Sequence, residues 1–336
     1  MGTTKSPIHF GISLPNRAVL FGVDANLMIQ TAEAAEESGH FDSVWVGDNL
    51  LSKPRLESIV TLSALAARTK RLKLGTICFA SFTLRNPITF AIQWASLDEL
   101  SGGRTILAVC LGGSAKMRPV FAAELAAMGV RSKDRVGRLE EGIELLRKFW
   151  SSSPVSYQGN FYKYESIDLL PKPRQSRVPI WIAVNPSSSV NPKIEERALR
   201  RVARLADGWQ TDGTPPEVFR ERWGRILEYA EEYGREDEVK DSCLHLMVNI
   251  NDDESLAYQE SLDFLNQYYG EGVISVEKLK SWLAYGPPSA VIEKIASFIE
   301  AGCTTPVLRF TSWDQLQQLE KCINDVMPAF EDKLVV

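Results

Sequence analysis

The sequence predicts a single α/β domain, a (β/α)8 TIM barrel with insertions. Eight short apolar or β-branched runs alternate with helical segments along 336 residues, and eight is the strand number that closes the common parallel α/β barrel. No GxGxxG follows the first strand and no P-loop occurs, so the signatures of an open, doubly wound nucleotide-binding sheet are missing. A content of 44% hydrophobic and 24% charged residues supplies one large core and excludes disordered and fibrous classes.

The first strand spans 10–14 and stops at Pro15 and Asn16, and a helix over 27–38 ends at Gly39. SVWV at 43–46 is β-branched and aromatic, runs out at Gly47, Asp48 and Asn49, and leads to a helix over 57–69. LKLGTICFA at 72–80 is the third strand; Pro87 opens the next helix, which Gly102 and Gly103 close. TILAVC at 105–110 is the fourth, and past its glycine turn an amphipathic helix over 133–150 aligns Leu139, Ile143, Leu146 and Phe149. Residues 151–178 break the rhythm, because aromatics around Gly159 and Asn160 predict a β-hairpin and Pro171 and Pro173 a linker. Strands then recur at 180–184, 208–211, 244–250 and 307–310, with helices at 194–206, 216–233, 254–269 and 287–301. Residues 270–285 read as irregular. The reading is one barrel domain over 1–336 with insertions at about 151–178 and 251–285.

A net charge of -5 without a dense Lys/Arg block argues against a nucleic-acid partner. The polar N-terminus and the absence of any run of about 18 apolar residues predict no membrane partner and a cytoplasmic location. Five cysteines, odd in number, widely spaced and without a CxxC pair, predict free thiols and no zinc site. Three scattered histidines support neither a metal cluster nor a catalytic triad.

Barrels of this kind collect their chemistry at the C-terminal strand ends, which nominates Asn16, Asp48, Asn49, Ser81, Cys110, Ser114, Asn185, Asp212, Asn249 and Arg309. His245 shares a period-2 face with Cys243, Met247 and Asn249, so it is either a barrel-facing functional group or a satisfied core histidine. Arg309 suits a phosphate, an acidic substrate or a structural ion pair. Cys110 reads as a reactive thiol or a small buried residue.

Six blocks in order, GHFDSVWVGDN, RTKRLKLGT, RNPITFAIQWASLDELSGGR, RLEEGIELLRKFW, PIWIAV and ALRRVARLADGW, followed by YGPPSAVIEKIASFIEAGCTTPVLRF, resemble the luciferase-like monooxygenase family over almost the whole chain. LDELSGGR and ARLADGW in this order make the resemblance specific. It implies a flavin or deazaflavin (coenzyme F-420) ring held at the strand C-termini, with the protein supplying position and electrostatics. It also implies a non-prolyl cis peptide on the third strand, here between Ile77 and Cys78. Cys110 falls near the ring. Asp48 and Asn49 stand where relatives often have an acidic residue followed by a catalytic histidine. Asn49 does not exchange protons near neutral pH, so its role would be a hydrogen bond to ring or substrate; the alternative for the pair is a helix-capping turn.

The cofactor phosphate is expected at the loop after the fifth strand, from Asn185, Ser187 and Arg197, with Arg138 at a phosphate-contacting position of the family. Arg197, Arg200 and Arg201 alternatively form a solvated helix face. The leading functional expectation is a monooxygenase using reduced FMN, delivered by a separate flavin reductase, and oxygen on a small organic substrate. The alternatives are an F-420-dependent hydride-transfer oxidoreductase and a non-catalytic flavin-binding barrel. A homodimer is expected from the resemblance.

Overall fold

The computed structural model describes residues 7–114, 118–186 and 191–333. Strands β1 (Gly11–Leu14), β2 (Ser43–Val46), β3 (Lys73–Thr76) and β4 (Thr105–Val109) alternate with helices α1 (Ala25–Ser38), α2 (Ser58–Arg68) and α3 (Pro87–Ser101). Helices α4 (Pro119–Ala127) and α5 (Arg135–Ser151) precede an antiparallel hairpin, β5 (Val155–Gln158) and β6 (Lys163–Ile167). Next come β7 (Ile180–Ala183), α6 (Pro192–Leu205), β8 (Gly208–Asp212), α7 (Pro216–Glu232) and β9 (Asp241–Ile250). The chain ends with α8 (Glu254–Tyr269), α9 (Val276–Trp282), β10 (Leu283–Gly286), α10 (Pro288–Glu300), β11 (Thr305–Phe310) and α11 (Gln315–Lys321).

Parallel pairing runs β9-β11-β1-β2-β3-β4-β7-β8, and β8 pairs back onto β9, which closes an eight-stranded barrel. The strands are buried on both faces because the helices cover the outside and side chains fill the inside. Gly39 and Gly102 end α1 and α3 where the sequence places those ends, with left-handed φ, and Asp24 and Asn86 accept from the first-turn amides of the same helices.

Three local departures occur. The third strand stops at Thr76; the Ile77–Cys78 peptide that follows is cis, and contact with β4 resumes as a bridge between Phe79 and Val109. Helix α4, PVFAAELAA, has apolar residues all round and so gives no stripe to read. Within residues 270–285, which read as irregular, lie α9 and most of β10, and β10 extends the sheet by pairing in parallel with the far half of β9.

The lower barrel is plugged by Trp45 stacked on Trp181, with ring centroids 5.2 Å apart, packed among Ile106, Ala108, Cys243 and Val307. Gly75 permits this, since a Cβ there would overlap the Trp45 indole. Trp45 is fully buried, its Nε1 donating to Ser43 Oγ at 2.8 Å. Trp45→Ala is expected to cost about 3–5 kcal/mol in urea unfolding; a cost under about 1 kcal/mol would show that the barrel floor does not depend on this plug.

Candidate active site

Barrel geometry carries alternate strand residues inward, so one layer above the tryptophan plug the C-terminal strand ends converge. There Ile77, Cys78, Cys110, Ala183, Val184, Asn185, Gln210, Thr211, Asp212 and His245 line an open-topped cavity of about 510 Å³. Four of the predicted cofactor residues, Ile77, Cys78, Cys110 and Asn185, therefore share one surface. Asn185 accepts at Oδ1 from Arg222 (3.0 Å) and Thr214 (3.1 Å) and donates through Nδ2 to Asp212 Oδ1 (2.9 Å), so it is held rigidly at the rim.

The expectation of five free thiols is corrected at two positions. Cys78 and Cys110 are disulfide-bonded, with Cα atoms 6.1 Å apart. They are 32 residues apart in sequence, but β3 and β4 are neighbours in the barrel, and sequence spacing does not show that adjacency. Cys110 is accordingly neither a free thiol nor a small core residue; it is half-buried against the cavity. Cys243, Cys303 and Cys322 are free and buried.

Asp48 is buried at the end of β2 and fully engaged: it accepts from the Ser81 amide at 2.7 Å, from Ser58 Oγ at 2.7 Å and from Arg85 at 3.3 Å. Burial raises its carboxyl above the ordinary value against the pull of Arg85 and the two serines. Its contacts knit the β2 end to α2 and to the loop after β3. Asn49 lies outside the cavity lining, donating to Ser52 Oγ at 3.1 Å and accepting from Arg55 at 3.3 Å. Arg138 donates to the Thr83 carbonyl (2.7 Å) and covers the Tyr162 ring, and Arg197 is exposed on α6 and donates to the Lys193 carbonyl. Neither touches the cavity. Ser187 lies outside the described residues. Arg200 and Arg201 are spent on Glu196, Glu232 and Glu140.

The cavity's electrostatics come from residues that mostly lie outside the predicted set. Arg309, at the end of β11, is 3% exposed. Its Nη1 reaches Ser13 Oγ at 3.3 Å and its guanidinium covers the Tyr268 ring at 4.7 Å, while Nε and Nη2 have no hydrogen-bond partner. Among the described residues no carboxylate lies within ion-pair distance of it, which removes the structural-ion-pair reading. A buried guanidinium without a counter-ion is costly and is the expected form of a site that awaits an anion.

His245 sits beside Arg309 with Nε2 unpartnered. Burial and the Arg309 charge push its imidazole far below the ordinary value, opposed by Asp212, so it is neutral at pH 7. Asp212 accepts from Lys278 Nζ at 2.9 Å. Its own burial would raise it, but Lys278 and Asn185 outweigh that and keep it ionised. Lys53 lies over the Tyr269 ring at 5.3 Å, and burial, reinforced by Arg55 and Lys278, lowers its ammonium to about 8. Arg17 joins through Tyr268, whose ring it covers at 5.4 Å. A Cβ on Gly47 would overlap the Arg55 guanidinium, so the glycine ending β2 makes room for this cation. Five cations, Arg17, Lys53, Arg55, Lys278 and Arg309, thus gather around Tyr268, Tyr269 and Asp212 beside the cavity, with Asp212 the one of these three that lines it. Strand-end position had flagged Asp212 and Arg309, and period 2 had flagged His245. Lys53 and Arg55 sit in the loop between β2 and α2 and Lys278 in the 251–285 insertion, where no periodicity marks them.

A second hollow, of about 600 Å³, opens at the opposite, N-terminal end among His9, Asp42, Lys73, Asp241 and Trp181. In barrel enzymes that face serves stability, not chemistry. No cluster of three metal-ligating side chains occurs among the described residues, and among them no helix is long and apolar enough to cross a membrane.

A model of the luciferase-like monooxygenase family matches residues 8–305. The chain belongs to that family. This luciferase-like protein is 27% identical, over 90% of its length and 93% of the relative, to an F-420-dependent glucose-6-phosphate dehydrogenase of Amycolatopsis mediterranei. A glucose-6-phosphate dehydrogenase of the same dependence from Nakamurella multipartita is 26% identical over 97% of both chains. In fold it matches an F-420-dependent secondary alcohol dehydrogenase (TM-score 0.79, 20% identity, 97% of this chain and all of that one). It also matches a monooxygenase of Streptomyces bottropensis (TM-score 0.77, 20% identity, 96% of this chain and all of that one). The protein is an oxidoreductase with the luciferase-like barrel.

Proposed function

We propose that this protein is an F-420-dependent oxidoreductase that exchanges hydride with a small hydroxyl or carbonyl compound bearing an anionic group. The carrying observation is that curated relatives matching nearly end to end are F-420-dependent dehydrogenases of a sugar phosphate. That favours hydride transfer over the FMN-and-oxygen reading that led from the sequence motifs.

The cavity suits the cofactor: Ile77, the Cys78–Cys110 pair, Ala183 and Val184 offer a largely apolar bed for a flat ring, and Gln210, Thr211 and Asn185 are polar groups at its edge. When bound, the deazaflavin supplies the hydride acceptor or donor. The protein's residues supply the rest. Arg309 and Lys278 bind the anionic group, with Asp212 fixing the direction of Lys278. The free His245 Nε2 accepts a hydrogen bond from the substrate hydroxyl. Burial is the first cause of the lowered His245 imidazole and the Arg309 charge the second; a bound anion offsets the second and so raises the imidazole in the substrate complex, favouring uptake of the hydroxyl proton. Tyr268, Tyr269 and Trp282 pack over this layer and exclude water.

Anion affinity of the free protein is expected to fall as pH rises through about 8, where Lys53 loses its proton. Phosphate esters are already dianionic there, so the fall reports the protein; a flat binding curve between pH 7 and 9 would remove Lys53 from the site. The proposal itself is tested by incubating the protein anaerobically with F-420 and matched pairs of hydroxyl compounds with and without a phosphate. Bleaching of the deazaflavin chromophore by the phosphorylated member alone is expected. Bleaching by neither, with oxygen-dependent turnover on reduced FMN, would overturn it.

A further inference from the structure

We propose that Cys78 and Cys110 form a redox-active pair, open to small thiols through the cavity, whose state sets the affinity for the cofactor. Both cysteines are half-buried and line the cavity, whereas Cys243, Cys303 and Cys322 are fully enclosed. A thiolate entering from the mouth therefore meets this disulfide and no other cysteine.

The bond also lies where the ladder between neighbouring barrel strands is short. Registered pairing between β3 and β4 covers only Leu74 with Thr105 and Gly75 with Ile106. Beyond it the two strand ends are joined by the hydrogen bond from Thr76 Oγ1 to the Ala108 carbonyl (2.9 Å), by the Phe79–Val109 bridge and by the disulfide. Gly112 N donates to Cys110 Sγ at 3.4 Å, tying the glycine turn to the same sulfur. Reduction removes the covalent tie across the cavity floor, and a floor that must be ordered on binding holds its ligand less tightly.

The chemistry closes with a dithiol as reductant and a small-molecule disulfide as oxidant. One thiolate of the dithiol attacks Cys78 or Cys110, the S–S bond breaks, and the leaving sulfur takes up a proton. The second thiol resolves the mixed disulfide, leaving two cysteine thiols and an oxidised dithiol. Since the ring would cover both sulfurs, a bound cofactor slows this exchange, and by reciprocity reduction weakens cofactor binding.

This inference rests on the cofactor reading only for its binding arm. Protein purified without reductant is alkylated natively before and after dithiothreitol, with mass and peptide mapping, and F-420 affinity is measured by fluorescence in both states. The expected result is no native labelling before reduction and labelling of Cys78 and Cys110 alone after it. Saturating F-420 slows that labelling, and reduction weakens F-420 binding by at least about fivefold. The Cys78→Ser/Cys110→Ser protein should match the reduced form and ignore dithiothreitol. Labelling of Cys78 or Cys110 without reductant, or equal affinities in the two states, would overturn the proposal. Absence of F-420 binding in both states overturns the cofactor reading, while the labelling pattern still decides whether the pair is redox-active.

Discussion

Arg309→Met should raise the KM for an anionic substrate by roughly 30-fold or more, the effect of about 2–5 kcal/mol for removing one member of a desolvated charge pair. The same variant should unfold at higher temperature than the parent when no ligand is present, by about 1 kcal/mol or more in stability. Both follow from one observation. The guanidinium is 3% exposed, and two of its nitrogens have no partner. A residue that stabilised the fold through an ion pair would show the opposite on heating. Arg309→Lys keeps the charge but loses the planar fork, so it should recover only part of the affinity. Steady-state kinetics with matched charged and uncharged substrates, together with thermal unfolding, check all three.

His245→Asn should lower kcat by about 10²- to 10⁴-fold with KM little changed, because the imidazole handles a proton and does not hold the anion. His245 lines the cavity with its buried Nε2 unpartnered, and the ring is fixed among Arg309, Asp212 and Trp282, the last meeting it edge-on at 6.0 Å. With the free imidazole held neutral well below pH 7, acid loss of activity should appear only in the substrate complex, where the anion raises the imidazole. The kcat profile should therefore have an acid limb that His245→Asn abolishes. Equal losses in kcat for charged and uncharged substrates would show that the anion does not tune His245.

The barrel was legible because its signals are local and periodic: apolar runs of the right length, Pro87 in a first helical turn, and glycines such as Gly39 and Gly102 at helix ends. Strand-end position also brought Asp212 and Arg309 into view, and period 2 turned His245 inward. The contacts that give these residues meaning are not local. The Cys78–Cys110 pairing depends on β3 and β4 being neighbours across 32 residues. Lys53, in the loop between β2 and α2, and Lys278, on α9, lie 225 positions apart in sequence, and come near each other only because both segments fold over the same strand ends. Asp48 shows the converse. Its place after β2 invited a catalytic reading, yet Ser81, Ser58 and Arg85 occupy its carboxylate and make it a brace between loops.

The most direct measurement is an anaerobic fluorescence titration of the purified protein with F-420 and, separately, with FMN in oxidised and reduced forms. Saturable micromolar or tighter binding of F-420, with FMN at least about tenfold weaker (a difference of about 1.4 kcal/mol), is the predicted result. Tight binding of reduced FMN with no saturable F-420 binding would contradict the account.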